Sequence, residues 1–407
     1  MVCFWIKFVE ENNFDPSRRN RQNLKNSENP YLSRIIFAEP EKSNTLPDSI
    51  FASCLAPDAS WLISDIEVFI DTDGVNGSMR AISLAIQHPD VELIAITTVH
   101  GCVKVEQATA NVARVQRANL LEKLIPVYMG ASDALLRRKS LLMYPRLGTD
   151  GIGDRPDLFP QVSPTDFTMH EAESAAFALI RLTTEHDGVT LVCIGPLTNV
   201  ALAYKIDKNF AKRLQKIVIF GGNHFGSIVC DAAFTECNFG ADPEAAKIVM
   251  EEMNTPITMV PWEYAYAIGN NDGDIVDFQA HLKINTPLAS FLYLATNIGD
   301  SATFKHARQD GHGEEIAVAI AINEKAIATG TNDSRLGVEL SDVKRGQVSG
   351  DFCMHAVIKE YDGSVSDYLA AHPVDQSRSI IHVIIHYDVE KLDEWMHNTV
   401  LGKEGPW

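Results

Sequence analysis

From residue 65 onward, short apolar segments alternate with amphipathic ones, and this alternation constrains the fold more than any other feature of the chain. Strands are predicted at 66–70, 91–99, 125–128, 189–194, 216–220 and 257–260, with later candidates at 355–359 and 380–387. Helices are predicted at 78–88, 104–119, 170–186, 198–205, 287–298 and 314–323. A strand–helix–strand order produces parallel strands covered by helices on both faces. The sequence therefore predicts an α/β fold with an open, mainly parallel sheet.

Composition excludes several classes of partner. The 407 residues are 45% hydrophobic and carry a net charge of −19, so there is no positive excess to contact nucleic acid phosphates or an anionic membrane. No stretch approaches the ~20 apolar residues of a membrane span. Seven cysteines without Cys-x-x-Cys spacing favour a reducing compartment. We therefore expect a cytoplasmic protein that binds neither nucleic acid nor membrane.

The first 60 residues differ from the rest. They are polar, rich in Asn and Arg between residues 18 and 29, and show no clear periodicity. Such a composition is typical of a poorly ordered extension. We expect residues 1–60 to form that extension and residues 61–407 to form one domain.

Two carboxylates end the first predicted strand. In Ile66-Glu-Val-Phe-Ile-Asp-Thr-Asp73, the period of two in a strand places Asp71 and Asp73 on one side, at the edge where α/β sheets bind ligands. Like charges this close need a cation or a shared proton. In a functional interpretation Asp73 binds a metal ion and accepts a proton from water, while Asp71 completes the shell. A solvated acidic turn is the simpler alternative.

A second enzyme class also fits these two aspartates. A strand followed by Asp-x-Asp-Gly resembles haloacid dehalogenase phosphatases, in which the first Asp is a nucleophile and the second a general acid. That family requires a threonine soon after the glycine, and Val75 stands there.

Three later segments add candidate site residues. Thr198, in the run Gly195 to Leu202, follows a strand and can cap the next helix while its carbonyl faces a pocket. Glu236 and Asn238 can hydrogen-bond the hydroxyls of a sugar, or can satisfy nearby backbone. His312 and Glu314 open a late helix, where acids can complement the helix dipole or complete a metal shell. The glycine-hinged loop 149–154 is interpreted as a lid.

Taken together, these segments resemble the inosine-uridine preferring nucleoside hydrolase family over residues 66–330. The resemblance rests on Asp71-Thr72-Asp73, Ala95 to Val99, Asp150 to Asp154, Gly195 to Leu202, Phe220 to Asn223, Glu236-x-Asn238 and Asp242 to Ala246, and Pro261-Trp262-Glu263 is similar to eukaryotic members. It implies a nucleoside hydrolase-like domain at 61–407 that cleaves the N-ribosidic bond of purine or pyrimidine nucleosides with bound Ca²⁺. None of the downstream motifs is expected of the phosphatase family.

The resemblance also implies roles for single residues. Asp73 is the base and a metal ligand, and His312 is a second catalytic residue. The other metal ligands are Asp71, Thr198 through its carbonyl, and Glu314. The substrate-binding residues are Asn76, Phe220, Asn223, Glu236 and Asn238. Cleavage builds positive charge on the ribose, which nearby acids stabilise, while a metal ion lowers the pKa of its water. The expected partner is a small-molecule nucleoside, and a homo-oligomer is left open.

The chain departs from the family pattern at the pocket. Gly77 and Ser78 stand where the family has two acids, and Glu314 stands for the distal aspartate. Cys102 and Cys230 replace usual asparagines, and Leu147 replaces a histidine. Since ligand charge tunes calcium affinity, these changes weaken the expected site. Restoring acids by Gly77→Asp and Ser78→Asp is expected to create calcium affinity.

Three hypotheses follow from these departures. The first is an active nucleoside hydrolase with an altered metal shell. The second is a catalytically impaired member of the family that binds a nucleoside or a protein partner as a scaffold. The third is a hydrolase of the same fold that acts on a different ribosyl compound.

Overall fold

The structure is a computed structural model that describes residues 66–136, 147–168, 172–223, 235–263, 279–298, 313–341, 344–350, 379–403 and 405–407. The predicted extension at 1–60, the predicted strand at 355–359, His312 and Cys230 lie outside these ranges. None of the helices within these ranges is both long and apolar enough to span a bilayer.

Strands and helices alternate along the described chain. The strands are β1 Ile66–Thr72, β2 Val91–Thr98, β3 Val127–Met129, β4 Val189–Ile194, β5 Leu214–Phe220, β6 Ile257–Val260, β7 Ala328–Val338, β8 Val348–Gly350 and β9 Ile380–Tyr387. The helices are α1 Asn76–Gln87, α2 Val105–Ala118, α3 Thr165–Thr168, α4 Ala175–Glu185, α5 Thr198–Ile206, α6 Phe210–Arg213, α7 Cys237–Ala241, α8 Pro243–Lys247, α9 Pro287–Thr296, α10 Gly313–Ile327 and α11 Val389–Leu401. Helix α10 is interrupted at Asn323, whose φ is −151° and ψ 88°.

The described strands join in the order β3-β2-β1-β4-β5-β6-β9-β7-β8. Pairing is parallel from β3 to β9, and β7 runs antiparallel to both β9 and β8. From β1 the chain moves outward to β2 and β3, then returns to β4 on the other side of β1. The strand order therefore reverses between β1 and β4. Open α/β sheets bind ligands beyond the carboxyl ends of their strands at such a point.

Both faces of the sheet are covered by apolar side chains. Val68 and Ile70 pack in a core that includes side chains of α1, α9, α10 and α11. Phe69, which points the other way, packs in a second core with side chains of α4, α5 and α8. The alternation follows from the period of two in a strand. The predicted α/β sheet with helices on both faces is thus confirmed, and the segment predicted at 380–387 continues it as β9.

Several predicted boundaries shift, and two strands, β7 and the three-residue β8, were missed. The helix predicted at 170–186 spans only Ala175–Glu185 in the described ranges, and the strand predicted at 125–128 is Val127–Met129. Strand β7, Ala328–Val338, was not predicted from the sequence. Its first six residues read Ala-Thr-Gly-Thr-Asn-Asp and are not buried, so they lack the apolar pattern that signals a strand.

Candidate functional site

Glycine residues of neighbouring loops lie close against the carboxyl end of β1. The Thr72 hydroxyl accepts a hydrogen bond from the backbone N–H of Gly74 at 3.0 Å, and Gly74 turns the chain with a φ of +66°. A Cβ on Gly101 would overlap the carboxylate of Asp73, and one on Gly195 would lie 2.7 Å from the Asp73 backbone nitrogen. The loops after β2 and β4 can therefore close on Asp73 only because they carry no side chain there.

Asp71 is fully buried and only partly hydrogen-bonded. Its Oδ1 accepts hydrogen bonds from the Thr97 hydroxyl at 2.5 Å and from Nδ2 of Asn199 at 2.8 Å. Its Oδ2 has no hydrogen-bond partner among the described residues. Burial raises the pKa of Asp71 to about 7, against the lowering effect of its two hydrogen bonds. Near neutral pH this carboxyl group therefore needs either a proton or a cation.

Asp73 lies at the same sheet edge, and its carboxyl group is mostly ionised at neutral pH. It is 2% exposed, and its Oδ2 accepts a hydrogen bond from the backbone N–H of Cys102 at 3.0 Å. Burial raises the pKa of Asp73 to about 6, and the hydrogen bond from Cys102 opposes that rise. Because this pKa lies below 7, Asp73 is mostly ionised at neutral pH and can accept a proton.

The carboxyl group of Glu314 joins these acids from helix α10, which packs in the same core as α1. Glu314 is the second residue of α10, it is buried, and its Oε2 has no hydrogen-bond partner among the described residues. Burial raises the pKa of Glu314 to about 8, and the charges of Asp73, Glu315 and Glu236 add to the rise. The structure thus brings Glu314 within electrostatic reach of Asp73 and Glu236.

Glu236 is held mainly by backbone N–H groups. Its Oε1 accepts from Asn238 at 2.9 Å, and its Oε2 accepts from Gly222 at 2.9 Å and Phe239 at 3.2 Å. Glu236 therefore caps α7, and burial raises its pKa to about 7 despite these bonds. These contacts match the alternative in which Glu236 accepts hydrogen bonds from nearby backbone N–H groups. A role in binding ribose stays a prediction.

A cation is one way to neutralise this cluster of acids. The buried oxygens without a hydrogen-bond partner include Asp71 Oδ2, Ser78 Oγ and Glu314 Oε2. Hard cations such as Ca²⁺ prefer oxygen ligands of this kind. In the part of the chain that the structure describes, no three His, Cys, Asp or Glu side chains are arranged to hold a metal ion together. The donor chemistry fits a hard cation, and hydroxyl or carbonyl oxygens would have to complete its shell.

Thr198 lies in this region but does not cap its helix. It is the first residue of α5, Leu197 holds the N-cap position, and no side chain caps the helix. The Thr198 hydroxyl instead donates to Oδ2 of Asp242 at 2.7 Å and lies 3.0 Å from Nε2 of His100. The capping prediction is wrong because Asp242 offers the hydroxyl a charged acceptor. Metal binding through the Thr198 carbonyl stays a prediction.

The remaining predicted substrate residues are mostly engaged within the protein. Oδ1 of Asn223 accepts a hydrogen bond from the Glu236 backbone at 2.7 Å, and Nδ2 of Asn238 donates to the Phe220 carbonyl at 3.0 Å. The ring of Phe220 lies against Gly313, where a Cβ would overlap it. Asn76 begins α1 and is partly exposed. Their predicted contacts with substrate stay predictions.

Sequence reasoning missed two polar residues at this edge, Asn199 and His100, and Asn199 holds Asp71 in place. Asn199 donates from Nδ2 to Asp71 and to the Thr98 carbonyl, and its Oδ1 accepts from the Ala131 backbone at 2.9 Å. His100 follows β2 at the same edge, and burial lowers its pKa. Both residues follow the carboxyl end of a strand. Ligands bind at that edge of an α/β sheet, and the same reasoning that selected Asp73 could also have found them.

The loop interpreted as a lid is tied to the sheet edge. Nδ2 of Asn111, on α2, donates at 2.9 Å to the carbonyl oxygens of both Gly74 and Asp150. Oδ1 of Asp150 accepts from the backbone N–H groups of Ile152 and Asp154. Asn111 therefore joins this loop to the turn that carries Asp73. Movement of the loop as a lid stays a prediction.

Comparison with known proteins gives a consistent result. The family model described as inosine-uridine preferring nucleoside hydrolase matches residues 68–394. Uridine nucleosidase 1 of Arabidopsis thaliana is 35% identical over 240 residues, which are 55% of this chain and 66% of that protein. The pyrimidine-specific ribonucleoside hydrolase RihB of Escherichia coli is 27% identical over 197 residues, 48% of this chain and 58% of that protein. The chain thus spans about half to two thirds of the curated relatives it matches.

Solved structures agree on the fold. A plant nucleoside hydrolase superposes with a TM-score of 0.67 at 23% identity, covering 83% of this chain and 99% of that one. An inosine-guanosine nucleoside hydrolase gives a TM-score of 0.68 at 24% identity with the same coverage. At this level of identity the likeness extends to the arrangement of the sheet and helices and no further.

Proposed function

Because the chain belongs to the inosine-uridine preferring nucleoside hydrolase family, we propose that it hydrolyses the N-ribosidic bond of a nucleoside and releases the base and ribose. The observation that carries the proposal is the buried carboxylate of Asp73 at the reversal point of the sheet, with a pKa of about 6. A relative named uridine nucleosidase supports uridine as a first substrate to test, and inosine as a second.

In the proposed reaction, water adds to the anomeric carbon of the ribose as the bond to the base nitrogen breaks. The bonding electron pair leaves with the base, which takes up a proton from solvent. One proton of the attacking water passes to Asp73, which later returns it to solvent. Positive charge develops on the ribose ring, as in glycoside hydrolysis. The ionised carboxylate of Asp73 lies at the edge where ligands bind in such sheets and lowers the energy of that charge.

The other residues have supporting roles in this proposal. A divalent cation, which we take to be Ca²⁺, would lower the pKa of water and grip ribose hydroxyls when held by Asp71, Asp73, Glu314 and the Thr198 carbonyl. Three backbone N–H groups hold the carboxylate of Glu236 rigidly, which suits it to accept a hydrogen bond from ribose. His312 is proposed as the second catalytic residue.

A specific observation favours a second candidate function. Gly77 and Ser78 bring no charge to the pocket. Among the described residues, no three His, Cys, Asp or Glu side chains are arranged to hold a metal ion together. The second candidate is therefore a catalytically impaired scaffold that binds a nucleoside or a protein partner. It predicts nucleoside binding or partner binding without release of ribose.

Release of ribose from uridine and inosine by the purified 407-residue chain separates the two candidates. The assay compares wild-type protein with Asp73→Asn, each stripped of metal and then supplied with calcium. Asp157→Asn is the matched control, because the side chain of Asp157 is 65% exposed and lies outside the site. The hydrolase proposal predicts release that depends on Asp73 and survives in the control. Absence of release at high enzyme concentration, with uridine still bound in calorimetry, favours the scaffold.

A further inference from the structure

The carboxyl group of Glu314 fills the space above the backbone of Gly77. A Cβ built on Gly77 would overlap Cδ, Oε1 and Oε2 of Glu314 alike. Gly77 is the second residue of α1 and is buried. Helices disfavour glycine relative to alanine, so helix propensity does not account for this residue. The position of the Glu314 carboxyl group does account for it.

Neighbouring contacts fix the backbone of Glu314 against α1. The next residue, Glu315, forms a buried ion pair with Arg80 of α1. Arg80 also donates from Nη1 to the Thr296 hydroxyl at 3.0 Å, and its Nη2 lies 3.2 Å from Nε2 of His281. Arg80 follows Gly77 by three residues and therefore lies one turn along the same helix. The first turn of α10 cannot withdraw from α1 without breaking these contacts.

One oxygen of the Glu314 carboxyl group has no donor within the described ranges. Its Oε2 has no hydrogen-bond partner among the described residues, and the side chain is buried. The charges that act on it include those of Asp73 and Glu236, which repel it. A buried, unpaired acid beside other acids is unfavourable unless a proton or a cation joins it. The unpaired oxygen is therefore an independent indication of a ligand at this point.

We propose that Gly77 is a positioning residue: its missing side chain leaves the space in which Glu314, on α10, presents a cation-binding carboxylate beside the first turn of α1. This inference rests on the proposed function, because the cation is the one proposed for that reaction. Glu314 stands for the distal aspartate of the family, and its longer side chain then extends into the space that Gly77 leaves. The absence of an acid at position 77 then makes room for the longer side chain of Glu314.

The inference reverses an expectation drawn from the sequence. Restoring acids by the double change Gly77→Asp and Ser78→Asp was expected to create calcium affinity. In the structure, the new Cβ would collide with the carboxyl group of Glu314. Gly77→Asp should therefore weaken cation binding while Glu314 is present, and should support binding only once the Glu314 carboxyl group has been removed.

Calcium titration by calorimetry and thermal unfolding of the 407-residue chain test this inference. The variants are Gly77→Ala, Gly77→Asp, Glu314→Ala and the exchange variant that combines Gly77→Asp with Glu314→Ala. Gly77→Ala and Glu314→Ala should each raise the Kd for calcium by about 10- to 100-fold, as loss of a positioning group does at metal sites. The exchange variant should return the Kd to within about tenfold of wild type, a difference of about 1.4 kcal/mol. Gly77→Ala should lower the melting temperature despite its better helix propensity.

Several results would overturn the inference. One is a Gly77→Ala variant with unchanged calcium affinity and a higher melting temperature, which would mean that the space above Gly77 is free. Another is an exchange variant that binds calcium no better than Glu314→Ala. A wild-type chain that binds no calcium also overturns it, and release of ribose by that chain would leave the hydrolase proposal standing. Calcium binding with the predicted variant pattern but no release of ribose supports the inference while the hydrolase proposal fails.

Discussion

Replacing Arg80 with methionine should destabilise the protein by breaking its buried ion pair with Glu315. Arg80 is 1% exposed and is shared between Glu315, Thr296 and His281. Removing one partner of a buried pair leaves the other charge without compensation, which costs about 3–5 kcal/mol. With an m value of about 3 kcal/mol per M, the urea midpoint should fall by about 1 M or more. Replacing both residues by methionine should recover most of this loss, because no charge then stays buried.

The pH dependence of the same variant provides a stricter test. Burial raises the pKa of Glu315, and the charge of Arg80 opposes that rise, so Arg80→Met should raise the pKa further. A carboxyl group with a raised folded-state pKa binds its proton more tightly in the folded protein. Above the unfolded pKa of about 4.3 the stability therefore falls with increasing pH, by up to about 1.4 kcal/mol per unit. The defect should be larger at pH 8 than at pH 5. An equal loss at both pH values, or a midpoint shift below about 0.3 M, would refute the reasoning.

Three further predictions concern the site. If Asp73 acts as the base, ribose release should rise with pH through about 6, the pKa of Asp73, and a rate that is flat between pH 5 and 8 contradicts this role. Thr198→Val removes the hydroxyl that donates to Asp242 and should lower the free energy of unfolding by about 1–3 kcal/mol, measured by urea unfolding with the exposed Thr184→Val as control. Gly101→Ala should abolish ribose release, since its Cβ would overlap the Asp73 carboxylate, and full activity would disprove that close approach.

The sequence was sufficient to predict which residues lie at the sheet edge, but not which side chains contact one another there. The apolar run before Asp71 predicts a buried strand, and the alternation of strands and helices predicts parallel pairing, so the position of Asp71 at the carboxyl end of β1 follows from local pattern. Thr198 shows the limit of such patterns. Its position before a helix predicted a cap, but a carboxylate 44 residues later, Asp242, accepts the hydroxyl hydrogen bond instead.

Long-range packing accounts for what the sequence could not reveal. The sequence pattern shows only that position 77 lacks the acid expected there. Nothing in the neighbouring residues shows that the carboxyl group of Glu314 fills the space above Gly77. Strand β7 was missed for a related reason: Thr331 and Asn332 are not buried, and this part of β7 is a strand through its pairing with β9. Both features depend on partners more than 40 residues away in the sequence.

The acids around Asp73 are proposed to share a divalent cation at the sheet edge. Calcium titration by calorimetry at pH 6.5, in two buffers of different ionisation enthalpy, tests this claim most directly. Burial raises the pKa values of Asp71, Asp73 and Glu314 to about 7, 6 and 8, so part of the cluster carries protons at that pH. Calcium binding at these carboxylates should release protons and give heats that differ between the buffers. Absence of binding, or binding with no proton release, would contradict the claim.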